Sequence, residues 1–341
     1  MPGSRVIPLR ITVLMGGASS ERDVSLASGL RIVAALRTCG HEVTALDPAG
    51  DVLSEAEMQA LRARNVGTEP PTLEALAGLS EGGRLRPDLI AMPEITDADV
   101  VFLALHGGEG EDGTVQALLD MAGVRYTGSG HLGSALAMDK DLSKILFRAA
   151  GVQTADWLMA PQSADLVEQS LGLPVIVKPS KQGSTVGLSI VRDIMDLDAA
   201  VAEAFRYDDE VMIERFVAGR ELTVGVLGDE ALPVGEIKPK KDLYDYECKY
   251  TAGMAVEEFP ADLSPSVTNK VKEQSLRAFR ALKLRGYARV DFRLDERGEC
   301  YCLEANTLPG MTGTSLIPQA AAAAGMGFEE FCNRIVKLAI G

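Results

Sequence analysis

The sequence lacks the charge, the apolar runs and the cysteine spacing that several broad classes of protein require. Its 341 residues contain 34 Lys and Arg against 49 Asp and Glu, a formal net charge of −15, whereas binding to a nucleic-acid backbone demands a basic face. No apolar run is long enough to span a membrane, and residues 1–10 have no apolar core of the kind found in a signal peptide. These absences predict a cytoplasmic protein with neither a nucleic-acid nor a membrane partner.

Cysteine and histidine are also scarce. Five cysteines are an odd number without the spacing of zinc ligands, and only three histidines occur. Cys300 and Cys302 stand in a strand-like run, where we expect them to be packing residues. A reducing compartment suits such a chain.

Length and patterning indicate several domains that include a parallel sheet. A chain of 341 residues exceeds one ordinary core and favours two or three packed domains. Residues 10–15 and 42–46 are predicted strands on either side of a helix at 22–38, with Ser20 as its cap. Residues 100–105 form another buried strand, so we predict an α/β fold that opens on a β-α-β unit.

The rest of the chain divides at two predicted boundaries, which give domains 1–122, 123–213 and 214–341. Residues 51–96 are weakly patterned and are expected to be an insertion with a helix or two. The predicted helices lie at 114–122, 131–150, 196–207 and 264–284 and at the C-terminus, and the predicted strands at 174–178, 188–191, 211–216, 222–227, 232–237, 287–294 and 299–305.

The last two strands form a hairpin that carries the strongest chemical pattern. Side chains two apart on a strand share a face, so Arg289 and Asp291 are predicted to point the same way. Cys302 and Glu304 are predicted to share a face in the same manner, with Asn306 just beyond. Two carboxylates and an amide oxygen suit Mg²⁺; a surface hairpin with an ordinary salt bridge stays open as an alternative. The predicted opposite, apolar face consists of Val290, Phe292, Tyr301 and Leu303.

Three polar segments follow predicted strands. The loop at 180–187 is small and polar, and could bring backbone N–H groups over phosphates, although it is not a Walker A motif and a plain turn is an alternative. The loop at 106–113 and Glu21 both follow strands, at the sheet edge where ligands of α/β proteins bind. A structural role for His106, and a helix-start role for Glu21, are the alternatives.

Together these segments resemble the D-alanine–D-alanine ligases of the ATP-grasp superfamily, over nearly the whole chain apart from about residues 48–97. The family's two signatures stand here as HGGEGEDG at 106–113 and LEANTLPGMT at 303–312. The supporting matches are GGASSERDVSLASG at 16–29, YTGSG at 126–130, MDK at 138–140, VKPSKQGSTVG at 177–187, YDYECKY at 244–250 and GYARVDF at 286–292.

The resemblance implies an N-terminal parallel α/β domain plus central and C-terminal α+β domains that sandwich ATP. Lys140 and Lys178 would hold the phosphates, the loop with Ser184 would close over them, and Glu221 would hold the ribose. Two Mg²⁺ (or Mn²⁺) would bind to Asp291, Glu304 and Asn306, with Glu304 bridging. The residues implied to border the adenine are Glu214, Arg215, Phe216 and Val217.

The resemblance also implies the substrate contacts. Glu21 would pair with the ammonium of the first D-alanine, and His106 would lie beside that substrate. Ser184, Glu21 and Tyr250 would link by hydrogen bonds and fasten residues 238–254 as a lid. Arg289 and the backbone amide of Gly310 would donate hydrogen bonds to the oxyanion. Ser315 and Lys249 would bind the carboxylate of the second D-alanine.

The implied activity is ATP-dependent synthesis of D-alanyl-D-alanine through D-alanyl phosphate for peptidoglycan, by a homodimer. Three alternatives stay open: a relative that takes D-lactate or D-serine second, an ATP-grasp ligase for another acid, and a non-catalytic nucleotide-binding regulator. Lys249 and Tyr250 favour D-alanine over D-lactate as the second substrate. Tyrosine at position 250 resembles the relatives that use D-alanine, whereas phenylalanine there would resemble the relatives that make the D-lactate ester (the depsipeptide type). The filled metal and oxyanion positions disfavour the regulator.

Overall fold

A computed structural model describes residues 7–63, 85–86, 88–183, 186–240 and 253–341. These residues form three β-sheets that occupy successive stretches of the chain. No helix within the described ranges is both long and apolar enough to cross a membrane. Ser184, Lys249 and Tyr250 lie outside the described residues.

The first stretch of the chain folds as a parallel sheet with helices. Its elements are β1 (Arg10–Leu14), α1 (Arg22–Thr38), β2 (Glu42–Leu46), α2 (Glu55–Arg62), α3 (Pro93–Thr96), β3 (Val100–Leu103), α4 (Gly108–Glu111) and α5 (Thr114–Met121). The strands lie in the order β2–β1–β3 and pair in parallel. All four residues of β3 are buried, as expected for a parallel strand. The predicted β-α-β unit is therefore confirmed.

Helix α1 begins differently from the prediction. Its N-cap residue is Glu21, whose side chain makes no capping hydrogen bond, so the prediction of Ser20 as the cap is wrong. Inside the helix, the buried Ser25 Oγ accepts from Gly16 N at 2.8 Å and donates to Ala104 O at 2.7 Å. The loops after β1 and β3 are thereby tied to the helix that Glu21 begins.

The middle stretch forms an antiparallel sheet. Its elements are α6 (His131–Met138), α7 (Lys140–Ala149), β4 (Trp157–Met159), α8 (Ala164–Leu171), β5 (Val175–Pro179), β6 (Ser189–Val191), α9 (Leu197–Ala204) and β7 (Val211–Arg215), with sheet order β4–β7–β5–β6. The single predicted helix at 131–150 is wrong, because Asp139 is extended and its side chain caps α7 by accepting from Leu142 N. Strand β4 had not been predicted.

The last stretch forms a larger antiparallel sheet. Its elements are β8 (Arg220–Leu227), β9 (Glu230–Ala231), β10 (Gly235–Pro239), β11 (Ala255–Glu258), α10 (Pro265–Ala281), β12 (Tyr287–Leu294), β13 (Cys300–Asn306), α11 (Leu316–Ala323) and α12 (Phe328–Ile340). The order is β11–β10–β8–β12–β13, with β9 paired to β8. The predicted strand at 232–237 is displaced to β10, and the predicted C-terminal helix is two helices.

A bulge in the β12–β13 hairpin changes the predicted faces. Asp291 pairs with Glu304, but the next pair is Phe292 with Cys302, so Leu303 is an extra residue. One extra residue reverses the alternation of side chains beyond it. Cys302 consequently lies in the apolar core with Phe292, and the prediction that it shares a face with Glu304 is wrong.

The same reversal affects Tyr301 and Leu303, which were predicted on the apolar face. Tyr301 lies 5.6 Å from the Arg215 guanidinium, measured to its ring centre, and Leu303 lines the cleft described below. Both therefore face away from the core that holds Cys302.

The division into domains 1–122, 123–213 and 214–341 stays a proposal, and two observations refine it. The boundary at 213 falls inside β7, so we propose that the linker is 216–219. Phe331 and Ile335 of α12 belong to the same hydrophobic core as β1 and β3. The C-terminal helix thus packs with the N-terminal sheet, although the two are far apart in sequence.

Candidate active site

Two adjoining cavities lie where the three sheets meet. The first is lined by residues of the central and C-terminal stretches of the chain. The second is lined by the N-terminal loops, by central residues that include Met138 and Gln182, by Arg289 and by residues 304–316. Lys140, Arg289 and Glu304 line both cavities. The other predicted residues in the first cavity are Lys178, Glu214, Arg215, Phe216, Val217, Glu221 and Asp291, and those in the second are Glu21, His106, Asn306, Gly310 and Ser315.

Lys140 stands between the two cavities. As the first residue of α7 it is 7% exposed, and its Nζ donates to Gln182 O at 2.7 Å. The same Nζ lies 3.3 Å from Glu304 Oε2. This lysine therefore joins the loop at 180–183 to the hairpin and leaves positive charge facing both cavities.

A buried cluster of one carboxylate and two lysines supports the wall of the first cavity. Lys178 Nζ donates to Glu214 Oε2 at 2.6 Å, and Lys144 Nζ contacts Glu214 Oε1 and donates to Thr154 Oγ1 at 2.6 Å. Burial alone would raise the pKa of Glu214, but the charges of Lys144 and Lys178 outweigh it and lower that pKa to about 2. The carboxylate is thus ionised and holds Lys178 at the cavity.

Arg293 fixes the segment that was predicted to border the adenine. Its Nε donates to Val217 O at 3.1 Å and its Nη2 to Gly219 O at 2.9 Å. Its Nη1 pairs with Glu221 Oε2 at 3.2 Å. Sequence reasoning missed Arg293, although its position two residues after Asp291 on one strand was a usable signal.

The polar row on the hairpin has a donor set that fits a divalent cation. Asp291 Oδ1 accepts from Thr223 Oγ1 at 2.7 Å, and its Oδ2 from Arg289 Nη2 at 2.8 Å and Asn306 Nδ2 at 3.0 Å. Glu304 is directly opposite Asp291, where like charges destabilise a sheet unless cations offset them.

No three His, Cys, Asp or Glu side chains of the described ranges form a metal cluster. The candidate set is two carboxylates and one amide, which matches Mg²⁺ sites completed by phosphate and water oxygens.

Glu21 lies between two glycine-bearing loops at the second cavity. A Cβ on Gly107 or on Gly183 would stand 3.3 Å from Glu21 Oε2, so the loops approach the carboxylate closely because they lack side chains there. The loop at 106–113, which follows a strand of the N-terminal sheet, and the loop at 180–183, which follows a strand of the central sheet, thus meet at Glu21.

Glu111 in the same signature supports the loop at 106–113. Its Oε2 accepts from Gly107 N at 3.1 Å and its Oε1 from Leu308 N at 3.3 Å. Burial raises the pKa of Glu111 to about 7. The signature motif was recognised, but no role had been predicted for this residue.

His106 and residues 308–315 complete the second cavity. The Nδ1 of His106 lies 2.7 Å from Leu308 O, and its Nε2 lies 3.2 Å from Ser28 Oγ. Ser315 Oγ accepts from Thr312 N at 2.9 Å, and a Cβ on Gly310 would stand 2.8 Å from that oxygen. Only glycine fits position 310 without displacing Ser315.

The chain has a parallel N-terminal sheet followed by two antiparallel sheets, and these two line a cavity rich in cationic side chains. This arrangement defines an enzyme of the ATP-grasp fold. The family model described as the D-ala D-ala ligase N-terminus matches residues 10–129, and that of the C-terminus matches residues 141–337. The chain belongs to the D-alanine–D-alanine ligase family.

Individual relatives agree over nearly the whole length. A D-alanine–D-alanine ligase of Syntrophotalea carbinolica is 41% identical and one of Trichlorobacter lovleyi is 44% identical; each alignment covers 96% of this chain, with 95% and 93% of the relative. A crystal structure of D-alanine–D-alanine ligase from Bacillus anthracis complexed with ATP is 32% identical, with a TM-score of 0.75 and 97% of both chains covered.

The buried cluster predicts a large effect at Lys144. Lys144→Met keeps most of the volume but leaves Glu214 with one cation, which should lower the free energy of unfolding by about 3–5 kcal/mol. Lys270→Met is the matched control, because its pair with Glu299 is 37% and 45% exposed and such pairs contribute about 0–1 kcal/mol. Urea unfolding measures both. Equal stability losses in the two variants would contradict a structural role for the buried pair.

Proposed function

We propose that this protein joins two D-alanines into D-alanyl-D-alanine, with D-alanyl phosphate as the intermediate and ADP and phosphate as the other products. The observation that carries the proposal is the shared wall of the two cavities. Lys140, Arg289 and Glu304 line both, so a phosphoryl group bound in the first cavity and a carboxylate in the second would meet beside the same side chains.

The first step activates a carboxylate. A carboxylate oxygen of the first D-alanine attacks the terminal phosphorus of ATP, and the bond from that phosphorus to the bridging oxygen breaks, which releases ADP. Lys140 and Lys178 offset the charge of the phosphates, and Glu21 pairs with the ammonium of the D-alanine. Mg²⁺ held by Asp291, Glu304 and Asn306 would neutralise phosphate charge and align the transfer.

The second step forms the amide. The neutral amine of the second D-alanine attacks the acyl carbon, and the C–O bond to phosphate then breaks with its electron pair on phosphate. The nitrogen loses one proton in this step, and the departing phosphate takes it up to leave as HPO4²⁻. Arg289 and the amide of Gly310 stabilise the oxyanion between these events. Ser315 lies beside Gly310, where it and Lys249 are proposed to receive the second carboxylate. Acyl phosphates hydrolyse, so closing the cleft against water protects the intermediate.

Other parts of the proposal rest on the family resemblance. We propose that the product serves peptidoglycan synthesis in the cytoplasm and that the protein is a homodimer. We also propose from the resemblance that Glu21 is linked with Ser184 and Tyr250 by hydrogen bonds and that residues 238–254 form a lid. D-Lactate or D-serine as second substrate is the alternative that shares this cleft.

The experiment measures ADP and product with D-alanine, D-serine, D-lactate and L-alanine, alone and in pairs. We expect ADP and dipeptide in equal amounts with D-alanine alone, and little ADP with L-alanine. A mixed product formed in preference to D-alanyl-D-alanine would assign the chain to the alternative. ATP consumption without any amide or ester would contradict ligation.

The proposed metal site makes a second prediction. Glu304→Gln keeps the shape but removes one charge, which we expect to lower turnover at least about 10²-fold, with an unchanged thermal transition and a higher Mg²⁺ requirement. Glu299→Gln is the control, since Glu299 pairs with Lys270 at 2.7 Å outside the cleft. Near-normal turnover at low Mg²⁺ in a folded Glu304→Gln protein would exclude Glu304 as a ligand.

A further inference from the structure

The buried Ser28, in the first half of α1, connects His106 to the loop that carries Gly310. Its side chain is fully buried, and its Oγ lies 3.0 Å from Met311 N and 3.2 Å from His106 Nε2. His106 in turn reaches Leu308 O through Nδ1 at 2.7 Å. One hydroxyl and one imidazole thus link the two backbone groups that flank Pro309 and Gly310.

The chemistry of the end groups fixes the directions of the two outer hydrogen bonds, and the neutral form of His106 fixes the direction of the bond between Ser28 and Nε2. Met311 N–H can only donate, so Ser28 Oγ accepts from it. Leu308 O can only accept, so Nδ1 of His106 carries the hydrogen. In the neutral ring Nε2 must then accept, and the Ser28 O–H donates to it. Burial lowers the pKa of His106, which favours this neutral form.

Both ring nitrogens of His106 make hydrogen bonds to protein atoms. Neither is left to bind a substrate in this arrangement, although His106 had been predicted to lie beside the first D-alanine. Its ring can still form part of the cavity wall, but its hydrogen bonds act on the loop at 308–311.

Further contacts hold the same loop. Arg31, one turn after Ser28 on α1, donates through Nη1 to Met311 O at 3.0 Å and Thr312 O at 2.6 Å. Glu111 accepts from Leu308 N. The Gly310 N–H belongs to the peptide between Pro309 and Gly310, and the peptide groups immediately before and after that one are both held. The direction of the Gly310 N–H therefore depends on the contacts that α1 and His106 make with its two neighbours.

We propose that Ser28 is a positioning residue for the ligation, which through His106 and Met311 aims the Gly310 N–H at the oxyanion of the amide-forming step. This rests on the proposed function. The N-cap of the same helix is Glu21, the proposed partner of the first substrate's ammonium. Helix α1 thereby sets the distance between the substrate ammonium and the oxyanion donor.

Ser25 provides a matched control. It lies one turn earlier on α1, is equally buried, and also joins two backbone groups, but these are Gly16 N and Ala104 O. Ser25→Ala and Ser28→Ala each remove a buried hydroxyl with two partners, so similar losses in urea midpoint are expected. Only Ser28→Ala loosens the loop that carries Gly310.

The test compares the two steps in these variants. We expect kcat for dipeptide synthesis to fall about 10- to 100-fold in Ser28→Ala, since small misplacements of reacting groups cost up to about 10²-fold, and less than about twofold in Ser25→Ala. Phosphoryl transfer should persist in Ser28→Ala. It is measured by the scrambling of a labelled β,γ-bridging oxygen of ATP when D-alanine is present.

Equal kcat losses in the two variants would overturn the proposal, as would scrambling that falls in proportion to dipeptide synthesis. If Ser28→Ala does not fold, Ser28→Cys, of similar size and with a weaker donor, carries the same comparison with the same two outcomes. Absence of dipeptide synthesis in the wild-type protein would instead contradict the proposed function itself.

Discussion

Asp291 and Glu304 face each other across two paired strands, and the repulsion between them is the constraint around which the cleft is organised. Two carboxylates in direct opposition destabilise a sheet unless cations lie beside them. Arg289 supplies a cation to Asp291, and Lys140 supplies one to Glu304. A bound nucleotide would add further negative charge. The cleft can therefore bind it only where cationic side chains are fixed beside the carboxylates and the phosphates.

The surrounding architecture keeps those cations in place. Glu214 is ionised inside the protein and holds Lys178 at the cavity wall, while Lys144 balances the remaining charge from behind. The bulge at Leu303 brings Glu304 opposite Asp291 while Cys302 stays in the apolar core. Apolar packing on one face of the hairpin thus offsets the unfavourable free energy of concentrating charge on the other face.

The sequence was sufficient where local pattern decides structure. Helix α1 and strand β2 have the predicted bounds, because apolar residues recur at helical spacing along α1 and a short strand-like run follows it. The bulge could not be predicted, since a one-residue change of register depends on which side chain fills the core. The break before α7 was visible in principle, because Asp139 is a typical N-cap residue.

The site was predicted mainly through the family's motifs, which name residues that touch ligands. Lys144, Arg293 and Ser28 act on those residues from behind, through contacts with Glu214, Glu221 and Met311 that are 70, 72 and 283 positions away in sequence. No local pattern indicates the contacts of Lys144 and Ser28, whereas the place of Arg293 on the same strand face as Asp291 was a usable signal. The roles of Ser184, Lys249 and Tyr250 stay predictions.

In the proposed reaction a carboxylate oxygen of one D-alanine attacks phosphorus before the amide forms. D-Alanine labelled with oxygen-18 in its carboxyl group tests this directly, by mass analysis of the phosphate released during dipeptide synthesis. We expect one labelled oxygen in each phosphate and ADP as the nucleotide product. Unlabelled phosphate, or AMP with pyrophosphate, would contradict it.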